Sequence, residues 1–171
     1  ASFWSGFIYN VINYYWIYNV MNVGPAVLIM IGLILLISYF SVYNTIAAAV
    51  FVKARDVKIK GIPVLLILFP LFYAGLEMTR SIGDFSFPWS HLGYALGNQL
   101  PLLQALSIIG IFGYTAIIIA SNLAVAEAFV KGKKFLIAAP VAIFALLFGY
   151  GSFVLSKPEA APFYMENEAE A

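Results

Sequence analysis

Apolar residues run in long blocks along this chain, and polar residues gather in the connections between them. The blocks beginning near Ala26, Ile62, Leu102 and Phe135 are each long enough to cross a bilayer, which needs about 20 residues at about 1.5 Å rise per residue. With an earlier block near the start, the pattern predicts five crossings at about 3–20, 26–52, 62–80, 102–130 and 135–155. The expected fold class is all-α: a polytopic membrane helical bundle of about five helices over residues 1–156 with an outward-facing aromatic loop. Residues 157–171, with Pro158, Pro162, Glu166, Glu168 and Glu170, read as an acidic extracytoplasmic tail that does not fold alone.

The first block is not a plain leucine run, because Asn10, Asn13, Asn19 and Asn22 interrupt it, and it lacks the basic start of a signal peptide. Amides in a membrane helix need partners, so these are expected to face neighbouring helices or a cavity. Gly24-Pro25 marks a tight turn into the second helix, which at about 27 residues and about 40 Å should tilt or protrude. Tyr39 and Tyr43 near its end suit an interfacial aromatic belt. Ala120, Ala124 and Ala128, in a helix that also carries Gly110 and Gly113, mark a close-packing seam.

Charge orients these helices. Of nine basic residues, seven lie in two connections: Lys53, Arg55, Lys58 and Lys60 in one, Lys131, Lys133 and Lys134 in the other. Five alternating crossings put both connections on the same side, and basic loops are retained in the cytoplasm. The expected topology in a bacterial inner membrane is N-terminus in, residues 81–101 out and C-terminus out.

Composition narrows the chemistry. The 171 residues are 63% hydrophobic and 10% charged, and a mean hydropathy of +0.94 excludes an ordinary soluble core. Clustered basic residues and a net charge of +1 do not make a nucleic-acid stripe. Zero cysteines exclude a disulfide scaffold and a thiolate nucleophile within these residues, and one histidine offers too little for a zinc or haem site. No cofactor, metal site or catalytic residue is expected. The opening Ala-Ser-Phe-Trp, without an initiator methionine, marks a processed chain or a piece of a longer one.

The candidate site is where the apolar pattern breaks without basic residues, at Phe85-Ser-Phe-Pro-Trp-Ser-His-Leu-Gly-Tyr94. Phe87, Trp89 and Tyr94, kinked by Pro88 and Gly93, fit an interfacial belt or a re-entrant loop lining a lipid-accessible cavity, and Pro88 with Gly93 favours the cavity. His91 could titrate near neutrality, and without a second catalytic partner it reads as a hydrogen-bonding or headgroup contact. Glu77 and Arg80, three apart at the outer end of the third helix, either pair as a helix-end anchor or present Arg80 to a lipid phosphate or carboxylate. Glu127 and Lys131 form an i,i+4 pair at the opposite interface. No Gly-rich phosphate loop, Gly-x-Ser-x-Gly or His-Glu-x-x-His motif occurs.

Trp16-Ile-Tyr18, Tyr39-Phe-Ser-Val-Tyr43, Glu77-Met-Thr-Arg80, Phe87-Pro-Trp89 with Gly93-Tyr94, and Gly110-Ile-Phe-Gly113 follow one another in a distinctive order. The chain thereby resembles, over about residues 3–155, the membrane domain of bacterial apolipoprotein N-acyltransferase, which transfers a phospholipid acyl chain to the N-terminal amine of lipoproteins. The resemblance implies a lipid-access loop at Phe87, Pro88 and Trp89, with Glu77 and Arg80 beside it; His91 and Tyr94 complete the lipid-binding candidates. It also implies what this stretch lacks: the family's earlier helices and its nitrilase-like domain with a Glu-Lys-Cys triad. Acyl transfer by this chain alone is excluded under that mechanism. Two functions follow: the membrane-embedded part of an acyltransferase, working under a nitrilase-like domain, or a non-enzymatic lipid-binding subunit of a larger membrane complex. A small transporter is disfavoured by the lack of paired repeats and intramembrane charges. Membrane lipids are the expected partners.

Overall fold

Apolar runs with few polar interruptions become helices almost throughout the computed structural model, which describes residues 2–59, 62–84 and 86–157. Three helices are long and apolar enough to span a membrane among the described residues, at Ala26–Ala54, Leu106–Val130 and Lys134–Leu155. The chain is an all-α membrane bundle as expected, divided into two compact units at Leu65/Leu66. The expected tail beyond Lys157, Lys60 of the basic connection and Phe85 of the aromatic loop lie outside the described residues.

The first unit is a helical hairpin. Helix α1 (Ser2–Tyr14) passes into a 3-10 segment (Tyr15–Val23), and α2 (Ala26–Ala54) follows the Gly24-Pro25 turn. The expected single helix over 3–20 is thus broken at Tyr14, where a run of aromatic residues and asparagines has poor helix propensity. The buried residues of α1 are Gly6, Asn10 and Tyr14, at four-residue spacing on one face. A Cβ on Gly6 would sit 2.8 Å from Asn44, Asn10 donates to Ser41 Oγ at 3.5 Å, and Tyr14 stacks on Phe40 with ring centres 5.3 Å apart. The numbers rise on α1 as they fall on α2, so the helices are antiparallel. Asn10 meets a neighbour as expected, whereas Asn13 bonds back to the Tyr9 carbonyl on its own helix. The Tyr39 and Tyr43 hydroxyls meet at 2.8 Å. After α2, the short strands β1 (Lys58–Ile59) and β2 (Ile62–Pro63) pair antiparallel.

The second unit carries α3 (Val64–Thr79) from Leu66 onward, α4 (Leu100–Gln104), α5 (Leu106–Val130) and α6 (Ala138–Leu155). Pro63 disfavours helix at the residue before it, so α3 starts later than the apolar run and reaches only 16 residues. The expected helix over 102–130 is divided. Leu100–Gln104 forms a separate short helix, and Gly110 breaks the next with φ +64°, a left-handed conformation that glycine adopts without Cβ strain. Tyr114 donates its hydroxyl to the Leu102 carbonyl and packs with Leu102 and Ala105, covered by Leu106, Ile109, Phe144 and Leu147. Of the alanine seam, Ala128 is fully buried, and Ala120 and Ala124 are half-buried. Lys131 pairs with Glu127 at the end of α5.

Candidate functional site

Glu77 lies on the last turn of α3, only 3% exposed, and both of its carboxylate oxygens are engaged by later parts of the chain. Oε1 accepts the Leu92 backbone N–H at 2.9 Å, and Oε2 accepts the Thr115 hydroxyl of α5 at 2.6 Å. Thr115 Oγ1 in turn accepts the Gly93 N–H at 3.2 Å. A buried carboxylate is tolerated where its lone pairs are satisfied in this way. The result is a clamp that holds the aromatic loop against the end of α3 and the first half of α5.

Arg80, the residue that follows α3, fastens the loop at a second place. Its Nη2 donates to Ser90 Oγ at 2.6 Å, and its carbonyl accepts the Phe87 N–H at 2.9 Å. Gly93 is buried so close to α5 that a Cβ there would lie 2.6 Å from Ile111 Cδ1 and 2.7 Å from the Ile111 carbonyl oxygen. No other residue lets the loop backbone approach α5 so closely. The loop itself is two short 3-10 turns, Pro88–Ser90 and Leu92–Leu96, with Pro88 starting the first.

His91 sits between those turns and is 3% exposed. Its Nε2 is hydrogen-bonded to Ser81 Oγ at 2.9 Å, and its ring packs edge-on to Phe112 at 5.2 Å. Nδ1 is 3.8 Å from Glu77 Oε2, too far for a hydrogen bond, and has no hydrogen-bond partner among the described residues. Burial, and secondarily the Arg80 charge, push the imidazole below its ordinary value of 6.5. The folded protein therefore keeps His91 neutral where the unfolded chain already binds a proton. Stability should fall as pH drops below about 6.5 and level off beneath the folded value. Melting curves at pH 7.5 and 5.5 test this: His91→Gln should shrink the acid-induced loss relative to the parent chain, and an identical loss in both would refute it.

The exposed side of the loop is different. Pro88, Trp89 and Tyr94 line an open, largely apolar pocket of about 420 Å³. Trp89 is 70% exposed and Tyr94 about half exposed, so both present aromatic surface outward. The seven expected residues thus separate by role. Glu77, Arg80 and His91 lie buried behind the loop, Pro88, Trp89 and Tyr94 form the pocket, and Phe87 is half-buried with its N–H on Arg80. Sequence reasoning missed Thr115, Ser81, Ser90 and Phe112. The signal for Thr115 was present: a hydroxyl in an apolar helix opposite an apolar-flanked glutamate.

An apolar helical bundle whose aromatic loop is clamped by a buried carboxylate defines a polytopic membrane domain with a built loop. The profile of the apolipoprotein N-acyltransferase N-terminal domain matches residues 1–124, and the chain belongs to that family. It is similar to an apolipoprotein N-acyltransferase of Geobacter metallireducens (strain ATCC 53774 / DSM 7210 / GS-15), at 33% identity over 111 residues. That match takes in 63% of this chain and 20% of that protein, so the chain spans about a fifth of its curated relative. No solved structure matches the chain.

Proposed function

We propose that this chain is the membrane-embedded, acyl-chain-binding part of an apolipoprotein N-acyltransferase-type protein. The observation that carries this reading is the open apolar pocket of about 420 Å³ at Pro88, Trp89 and Tyr94, held from behind by the Glu77 and Arg80 contacts. Exposed aromatic walls on a fastened backbone suit a flexible hydrocarbon chain, because the site loses little entropy when the ligand enters. Arg80 and Glu77 act as structural anchors of the loop in this reading, and His91 as a neutral packing element. The 171 residues contain no cysteine, so a thiolate nucleophile for acyl transfer comes from outside them. The same absence favours a second reading, in which the chain is a lipid-binding subunit without chemistry of its own. In both, the two basic connections face the cytoplasm across a bacterial inner membrane and the aromatic loop faces outward.

Native mass spectrometry of the chain purified with membrane phospholipid tests the pocket. Trp89→Ala is expected to lower phospholipid occupancy about tenfold at limiting lipid, equivalent to about 1.4 kcal/mol of lost apolar contact. Trp89→Phe should retain most of it. Unchanged occupancy in Trp89→Ala would reduce the loop to an interfacial belt.

A further inference from the structure

Hydroxyl groups in apolar helices ordinarily bond back to the carbonyl one turn earlier. Thr45 does this in α2, donating to the Ser41 carbonyl at 2.8 Å. Thr115 does not. It is completely buried, and its hydroxyl donates to Glu77 Oε2 at 2.6 Å, across 38 residues of sequence, while accepting the Gly93 N–H at 3.2 Å. One oxygen therefore joins α3, the aromatic loop and α5.

We propose that Thr115 is a positioning residue that sets the geometry of the Pro88–Trp89–Tyr94 pocket from behind. Gly93, which it holds, is next to Tyr94, and Tyr94 is one wall of the pocket. Gly93 has no side chain of its own to wedge in place, and it faces the Ile111 carbonyl at a separation that leaves no room for one. The hydrogen bond to Thr115 is thus the directional contact that fixes how far the backbone at Gly93 stands from α5. Glu77 fixes Leu92 in the same turn, and Thr115 fixes Glu77. Losing the hydroxyl releases both consecutive loop amides, at Leu92 indirectly and at Gly93 directly. Because the pocket is open, a shift of Tyr94 relative to Trp89 changes the width available to an acyl chain. This inference rests on reading the pocket as an acyl-chain site.

The chain has three tryptophans, Trp4, Trp16 and Trp89, so fluorine NMR of chain labelled with 5-fluorotryptophan resolves the pocket wall directly. Trp89→Phe assigns its resonance. Thr115→Val, which keeps the shape and removes the hydroxyl, should shift or broaden the Trp89 resonance and leave Trp4 and Trp16 unmoved. Thr115→Ser should leave all three in place. Phospholipid occupancy by native mass spectrometry should fall about tenfold in Thr115→Val and be restored in Thr115→Ser. An unmoved Trp89 resonance in Thr115→Val overturns the proposal, as does retained lipid in Thr115→Val when Trp89→Ala has lost it. Retained lipid in Trp89→Ala instead overturns the acyl-chain reading of the pocket. Should Thr115→Val fail to fold, Thr115→Ala removes the same hydroxyl without adding a methyl group and is judged by the same two readouts.

Discussion

Glu77→Ala is expected to release the aromatic loop and to destabilise the second unit by about 2 to 4 kcal/mol, since each buried partner left without its hydrogen bond costs about 1 to 3 kcal/mol. The deprived groups are the Leu92 N–H and the Thr115 hydroxyl, both bonded to the Glu77 carboxylate. Alanine also leaves a void where a buried side chain stood, which adds to the loss. Glu77→Gln separates these effects, because its carbonyl oxygen still accepts one bond while its amide faces the other donor. It should therefore lose about half as much. Hydrogen–deuterium exchange locates the change: the peptide carrying Leu92 and Gly93 should exchange much faster in Glu77→Ala, while peptides of α2 stay protected. Unchanged exchange at Leu92 and Gly93 would mean that the carboxylate does not hold the loop.

Gly151→Ala is expected to separate α6 from α4 and to lower the melting temperature of the second unit in detergent. A Cβ on Gly151 would overlap the carbonyl oxygen and carbon of Pro101 and lie 2.9 Å from its Cα. All three are backbone atoms on a residue with restricted φ, so no side-chain rotation can relieve the clash. Overpacking of this kind costs about 1 to 3 kcal/mol, and alanine gains back at most about 1 kcal/mol of helix propensity. The clash wins. Gly149→Ala, two residues earlier on the same helix, is the control, since nothing lies within 4 Å of its added Cβ. It should be neutral or slightly stabilising. Equal melting temperatures for the two variants would refute the close approach of α4 and α6.

The Gly6, Asn10 and Tyr14 face of α1 shows how far local pattern reaches. That an asparagine in an apolar helix needs a partner is a matter of transfer free energy, so the polar contact of Asn10 was legible without coordinates. Which asparagine would find a neighbour was not, since Asn13 is equally polar and bonds within its own helix. The Glu127–Lys131 pair was legible because helix geometry alone brings i and i+4 together. Glu77 was singled out by the same rule, with Arg80 as its partner, but that rule could not reach Leu92 and Thr115, which hold its two oxygens from 15 and 38 residues further on.

The sequence by itself determined the helical membrane class, the turn at Gly24-Pro25, the basic connections and the aromatic loop. Each of these depends on hydropathy, charge or backbone restriction, which are properties of a residue and its near neighbours. Tertiary structure alone decided that His91 is buried while Trp89, two residues earlier, stands 70% exposed. It also decided that the helix expected over 102–130 is divided near Gly110 and that Thr115 closes the clamp on Glu77. Those outcomes depend on where the chain returns in space. Sequence spacing constrains that return only within a helix turn or a tight loop, and contacts across 15 to 38 residues arise when packing brings the end of α3, the loop and α5 together.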